Sequence, residues 1–124
     1  MKRCFFYGLV LLSALKLFAG CSKKSADTLL SPPLCDTSAV VYARDIVPIM
    51  QAWCYSCHKG ENVAFSNGVN LEGYDNLKGW MESGFVIGNV SHASGFIPMP
   101  YGKPKIPECE INTLIAWMNQ HYPQ

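Results

Sequence analysis

Cys54-Tyr55-Ser56-Cys57-His58 is the stretch that most limits what this chain can become. It reads C-x-x-C-H. Two thiols three positions apart can each add to one vinyl group of a single haem, and the imidazole beside the second thiol can then coordinate the iron. A cofactor held by covalent bonds needs no deep pocket. It also gives a small domain a large apolar surface to pack against. The reading is therefore one covalently attached haem c, with Cys54 and Cys57 as attachment sites and His58 as an iron ligand. Two other chemistries use C-x-x-C. A four-ligand zinc site needs a second pair at similar spacing, yet Cys4, Cys21, Cys35 and Cys109 are isolated, as are His92 and His121. A thioredoxin-like dithiol belongs near a βαβ pattern, and nothing before Cys54 has that pattern. Zinc and dithiol chemistry remain the alternatives.

The N-terminus bears on location. Met1-Lys2-Arg3 precedes an apolar run from Cys4 to Phe18, interrupted by Ser13 and Lys16 and followed by Ala19-Gly20-Cys21. A basic start, a short apolar stretch and small residues describe an export signal. The run is shorter than the roughly 20 residues of a spanning helix, and Lys16 sits badly in one. An uncleaved membrane anchor is the alternative. Leu17-Phe18-Ala19-Gly20-Cys21 resembles a bacterial lipoprotein lipobox, although Phe18 stands where a smaller aliphatic residue is usual. That resemblance implies a signal peptide over 1–20, removed to leave Cys21 as a lipidated N-terminus. Ordinary cleavage leaving a free Cys21 thiol is the blander reading. An exposed thiol in an oxidising compartment is a liability, which favours the lipid. Residues 22–34, with Lys23-Lys24 and Ser31-Pro32-Pro33, have linker composition. A single domain then spans 35–124.

The formal charge of +1 misleads, because Lys2, Arg3 and Lys16 leave with the signal. What remains has seven basic and nine acidic side chains, a sum of −2. No basic patch suggests a nucleic-acid partner, and no strong field steers a partner of one sign.

The domain reads as all-α. Residues 42–53 are expected to form a helix, with Ile46, Ile49, Met50 and Trp53 on one stripe and Pro48 either starting it or kinking its first turn. Residues 60–73, rich in Gly and Asn, read as a loop. Residues 74–83 read as a helix ended by Gly84, and 85–90 as a further short turn. Residues 91–105 read as an ordered loop broken by Gly and Pro. Residues 108–122 read as the closing helix, begun at Pro107, with Ile111, Leu114, Ile115 and Met118 as its stripe and Trp117 flanking it. Glu108 and Glu110 suit its positive end.

A haem held by one histidine has a sixth position open, and Met50, Met81, Met99, Met118, His92 and His121 are the candidates. Met50, Met81 and Met118 are expected to be packing, and His121 to be solvated. Met99 stands in Ile97-Pro98-Met99-Pro100, where flanking prolines limit the backbone, and a thioether ligand raises the haem potential. Met99 is the expected ligand, with His92 or an open site as alternatives. Trp80, Tyr74 and Tyr101 are read as aromatic packing rather than as donors to haem propionates.

Ile46-Val47-Pro48-Ile49 before the haem motif, Met99-Pro100-Tyr101-Gly102 after it, and Cys109-Glu110-Ile111 with Trp117 at the end complete a pattern. With it, residues 35–121 resemble the class I cytochrome c domains, more narrowly the small monohaem domains of bacterial lipoproteins common in Bacteroidota. The resemblance implies a class I-like fold of three or four helices around one haem, with His58 proximal and Met99 distal. It also implies that the first and last helices pack together, which would let Cys35 and Cys109 form a disulfide. Many class I members place a proline soon after the haem motif, and its carbonyl accepts the ligand histidine's N–H. This chain has no proline between His58 and Pro98, so another carbonyl, expected in the 60–70 segment, must orient the ring. The function implied is single-electron transfer to and from other redox proteins, not catalysis. The domain would be tethered by lipid in the periplasm, at the outer membrane in preference to the inner. A haem enzyme or a gas or redox sensor with an open or displaceable sixth ligand is the alternative.

Overall fold

The computed structural model describes residues 35–124, and Cys35–Gln124 forms one compact unit. The export signal, the linker and the lipidation expected at Cys21 lie outside the described residues.

Pro48 shapes the first element. It has no N–H to give, and its ring crowds the carbonyl four residues back. The preceding turn, Tyr42–Ile46, is accordingly wound as a π-helix, and the amide of Val47 reaches back five residues to the Tyr42 carbonyl. Helix α1, Val47–Trp53, continues from it with Pro48 in its first turn. The one-turn helix α2, Tyr55–His58, follows after a single residue, Cys54. A 3-10 helix, Gly60–Ser66, comes next, where a loop was expected throughout 60–73. Only residues 67–73 are irregular. Helix α3, Tyr74–Glu82, and helix α4, Phe85–Val90, are separated by Gly84. Gly84 sits at φ +78, a left-handed conformation that a side chain would disfavour. Helix α5, Glu108–Asn119, closes the domain. The described residues are all-helical, with several short helices and no strand.

The α5 helix stops three residues before the expected Tyr122, because the chain turns back on itself. His121 and Tyr122 take positive φ angles of 63° and 61°, and the Tyr122 amide bonds the Trp117 carbonyl at 2.9 Å. This places the Pro123 carbonyl to accept from both the Trp117 indole (2.8 Å) and the Tyr42 amide (3.0 Å). Trp117 is therefore the centre of the helix's buried face, not its flank. Ile111, Leu114 and Trp117 are buried, while Ile115 and Met118 are half-buried. Aromatic rings explain the rotation: Tyr42 stacks on Trp117 at 5.6 Å, and Tyr74 and Tyr122 meet it edge-on.

Helix α5 packs against both the Tyr42–Ile46 turn and α4. Its two ends also hold the start of the domain. Cys35 and Cys109 are joined by a disulfide, with Cα atoms 5.4 Å apart. At the other end the Gln120 side chain accepts from the Val40 amide and donates to the Thr37 carbonyl. Ile46, Ile49 and Met50 of the expected stripe are buried with Leu77 and Met81 of α3. Met50 and Met81 are thus packing residues, as expected, and His121 is exposed.

Candidate functional site

The C-x-x-C-H segment is one helical turn closed on the Cys54 carbonyl, which accepts from the amides of Cys57 (3.1 Å) and His58 (3.0 Å). Residues three and four apart share a helix face, so this turn sets both thiols and the imidazole on one side. Both cysteines are free thiols; Cys54 is half-buried and Cys57 exposed.

The His58 ring is oriented from the segment that follows. Its Nδ1 lies 3.0 Å from the Val69 carbonyl. A carbonyl only accepts, so Nδ1 carries the proton and Nε2 keeps its lone pair for a ligand. Val69 O is thus the acceptor that no proline supplies, within the 60–70 segment. The 3-10 helix ends on Asn67 at φ 53 and Gly68 at φ 82, and this left-handed pair turns the chain back toward the histidine. Ser66 Oγ donates to the same Val69 carbonyl (3.0 Å), and the Leu71 amide bonds the His58 carbonyl (2.9 Å). Ring and backbone of His58 are held by one short strip of chain.

Behind Cys54 lie Trp53 and Glu110. The Trp53 indole Nε1 and Glu110 Oε2 are buried, and neither makes a hydrogen bond. Burial pushes the Glu110 carboxyl above its usual range, with the nearby indole N–H pulling the other way. The Cys54 thiol is pushed up to about 12, first by burial and then by the Glu110 charge. A working dithiol needs the opposite, a thiolate favoured at neutral pH. Among the described residues no group of three or more His, Cys, Asp or Glu side chains is arranged to hold a metal ion. Among the described residues the turn has no further metal-ligating group beside it, and burial disfavours the Cys54 thiolate.

Glu110 gives a pH prediction. The folded chain holds this proton more tightly than the unfolded chain, whose Glu titrates at its ordinary 4.5. Below 4.5 both states are protonated and Glu110 exacts no penalty. As pH rises through 4.5 and up to the raised folded value, the unfolded state releases the proton first, so stability falls. Glu110→Gln is expected to be more stable than wild type at neutral pH and to lose that downward slope, read as urea midpoints between pH 4 and 8.

Met99 is held by a different part of the chain. Its amide donates to the Asn89 carbonyl of α4 (3.0 Å), and its carbonyl accepts from His92 Nε2 (3.0 Å). His92 Nε2 is thereby engaged with Met99 itself, which argues against His92 as the iron ligand. The loop between them folds onto α4, with the Phe96 ring against Gly88 so closely that a methyl there would collide with it. Among the described residues no hydrogen bond links this loop to the C-x-x-C-H turn; each end of the site is built separately.

The residues fit a c-type haem. Two free thiols one turn apart, an imidazole with Nε2 available and a thioether in a braced loop are the donor set such a group takes. The flanking surface agrees. Phe65, just past His58, is 85% exposed, and Ile97 and Tyr101, beside Met99, are 58% and 79% exposed. Large apolar side chains left in water on two site segments call for a cover. Tyr101 is thus not a packing residue, contrary to expectation. Tyr74 donates its hydroxyl to the Tyr122 carbonyl, and Trp80 meets Phe85 edge-on; both serve packing. The Val69 carbonyl, the Asn89 carbonyl and the Trp53–Glu110 pair carry no motif, and only the missing proline hinted at the first.

No protein family, curated protein or solved structure was found to match the chain.

Proposed function

We propose that residues 35–124 are a class I-like monohaem cytochrome c domain that carries single electrons between redox proteins. Cys54 and Cys57 would hold the haem through thioethers, with His58 Nε2 and Met99 sulfur on its iron. Bound there, the haem supplies a ferric/ferrous couple. The chain's residues hold and tune it: Val69 O fixes the His58 tautomer and ring plane, and the braced Met99 offers a soft ligand that favours the reduced state. The observation that carries the reading is the His58 ring, held at Nδ1 with Nε2 free, one residue after Cys57 in a turn that aligns both thiols.

The exported location is part of the proposal. Lipid on Cys21 would keep the domain at a membrane on the periplasmic side, with the outer membrane preferred. No helix among the described residues is long and apolar enough to cross a membrane. The enzyme or sensor alternative draws on His92 as its distal acid–base group. The engagement of His92 with Met99 O weakens that alternative.

Optical spectra of the matured protein test the reading. The oxidised wild type is expected to show the far-red sulfur-to-iron band, and Met99→Ala to lose it and bind carbon monoxide when reduced. A high-spin wild type that binds carbon monoxide directly would overturn electron transfer in favour of the enzyme or sensor.

A further inference from the structure

Met99 sits between two prolines, and proline limits backbone rotation without fixing where a loop lies. The placement comes from α4. Met99 is held on both sides by α4 and the turn that follows it: its N–H donates to Asn89 O, and its C=O accepts from the His92 ring, each at 3.0 Å. Asn89 lies in the last turn of α4, and His92 lies two residues past the helix end at Val90, in the turn that follows it. His92 also takes a backbone conformation that few residues adopt, φ +54. The turn is continued by Ala93 N–H to Gly88 O and Phe96 N–H to Ala93 O. The chain thus turns back and returns Met99 to the helix it left.

We propose that His92 is a positioning residue for Met99, whose Nε2–H to Met99 O bond sets how firmly the thioether stays on the iron. This rests on the reading of Met99 as the sixth ligand. A thioether is a weak, exchangeable donor, so its occupancy depends on how nearly the loop presents it before binding. Without the His92 bond the Met99 carbonyl returns to water and the loop is held on one side only. The sixth position then opens more often to any small ligand in solution. His92 would in this way keep the domain an electron carrier rather than a ligand-binding haem protein.

The test uses the matured full chain with His92→Gly, His92→Asn and His92→Gln. Glycine and asparagine both tolerate positive φ, so neither adds backbone strain. Neither can reach the Met99 carbonyl as the imidazole does, whereas the longer glutamine amide can. Imidazole titration of the oxidised protein is the readout, with the far-red band followed against temperature. Glycine and asparagine variants are expected to bind imidazole about fivefold more tightly than wild type, the order that losing one neutral hydrogen bond corresponds to. They should also lose the band at lower temperature. Glutamine should restore both properties. Imidazole affinity and band equal to wild type in the glycine variant, or in the asparagine variant if glycine fails to mature, would overturn the proposal. So would a glutamine variant that matures and melts like wild type, showing no cost from the positive φ at position 92, yet binds imidazole no more weakly than glycine does. A wild type with no far-red band fails the Met99 reading itself, and the role of His92 falls with it.

Discussion

Replacing Trp117 with alanine is expected to cost the domain about 3–5 kcal/mol, the range for removing a buried large aromatic. The indole is 0% exposed and is the largest fully buried side chain. It contacts three other rings, at centroid distances of 5.6, 5.8 and 4.9 Å. Alanine would leave a cavity between α5, the Tyr42–Ile46 turn and the returning C-terminal residues, and Tyr42 and Tyr74 cannot both collapse into it while keeping their other bonds. The Pro123 carbonyl would lose one of its two donors as well. Small domains have about 5–15 kcal/mol in all, so the variant is expected to melt on the order of 15–30 °C below wild type. Trp117→Phe separates the contributions: it keeps most of the ring contact and loses only the N–H, for about 1–2 kcal/mol. Urea and thermal melts of the two variants measure this. Equal and small losses would show that the ring cluster is not what holds α5 to the first turn.

Trp117 also shows where the sequence was legible and where it was not. The closing helix was evident from its spacing, and so was its start at Pro107. Its buried face was misjudged, because periodicity weighs Ile115 and Met118 like any apolar residue. It does not see Tyr42 and Tyr74 arriving from 75 and 43 residues away in the chain. The helix end was misjudged for a related reason: His121 and Tyr122 adopt left-handed conformations that neither residue type announces, in exchange for the bonds to Pro123 O and Trp117 O. Pro48, by contrast, is a local constraint. The need for a start or a kink there could be read directly, and the π-turn is how the chain meets it. Gly and Asn usually mark loops, which hides the 3-10 helix at Gly60–Ser66; here they bracket a tight turn that delivers Val69 to His58.

The same division holds for the site. The donor residues were legible because chemistry ties thiol, thiol and imidazole to fixed spacing in the chain. Their orienting partners were not, because Val69 O and Asn89 O are backbone atoms, and any residue type can supply a carbonyl. The missing proline stated that an acceptor was required without saying which. In the sequence Trp53 is a stripe residue and Glu110 a dipole partner. Their shared burial behind Cys54 is a tertiary fact that neither segment contains.

Cys54→Ala combined with Cys57→Ala is expected to abolish haem that survives denaturation, read as haem stain on a denaturing gel and as pigment retained after acid extraction. The surface around the site explains why the loss should be complete. Phe65, Ile97 and Tyr101 lie open rather than walling a pocket, so without thioethers only the two axial bonds and an incomplete apolar cover would hold the group. Each single variant keeps one thioether and is expected to retain stain. The two should not be equivalent. Cys57 is exposed, and its loss removes a tether alone. Cys54 is half-buried against Trp53 and Glu110, and its loss also opens space beside a carboxyl that burial already disfavours as an anion. Cys54→Ala is therefore expected to yield less matured protein than Cys57→Ala. The double variant should still fold, because Cys54 is only partly buried against the core, Cys57 is exposed, and both the Trp117 rings and the Cys35–Cys109 bridge are left intact. A helical, haem-free double variant beside a pigmented wild type would tie the cofactor to these two thiols. A wild type colourless after expression with c-type maturation machinery would return the C-x-x-C-H turn to zinc or dithiol chemistry, and the raised Cys54 thiol would then be the first property to explain.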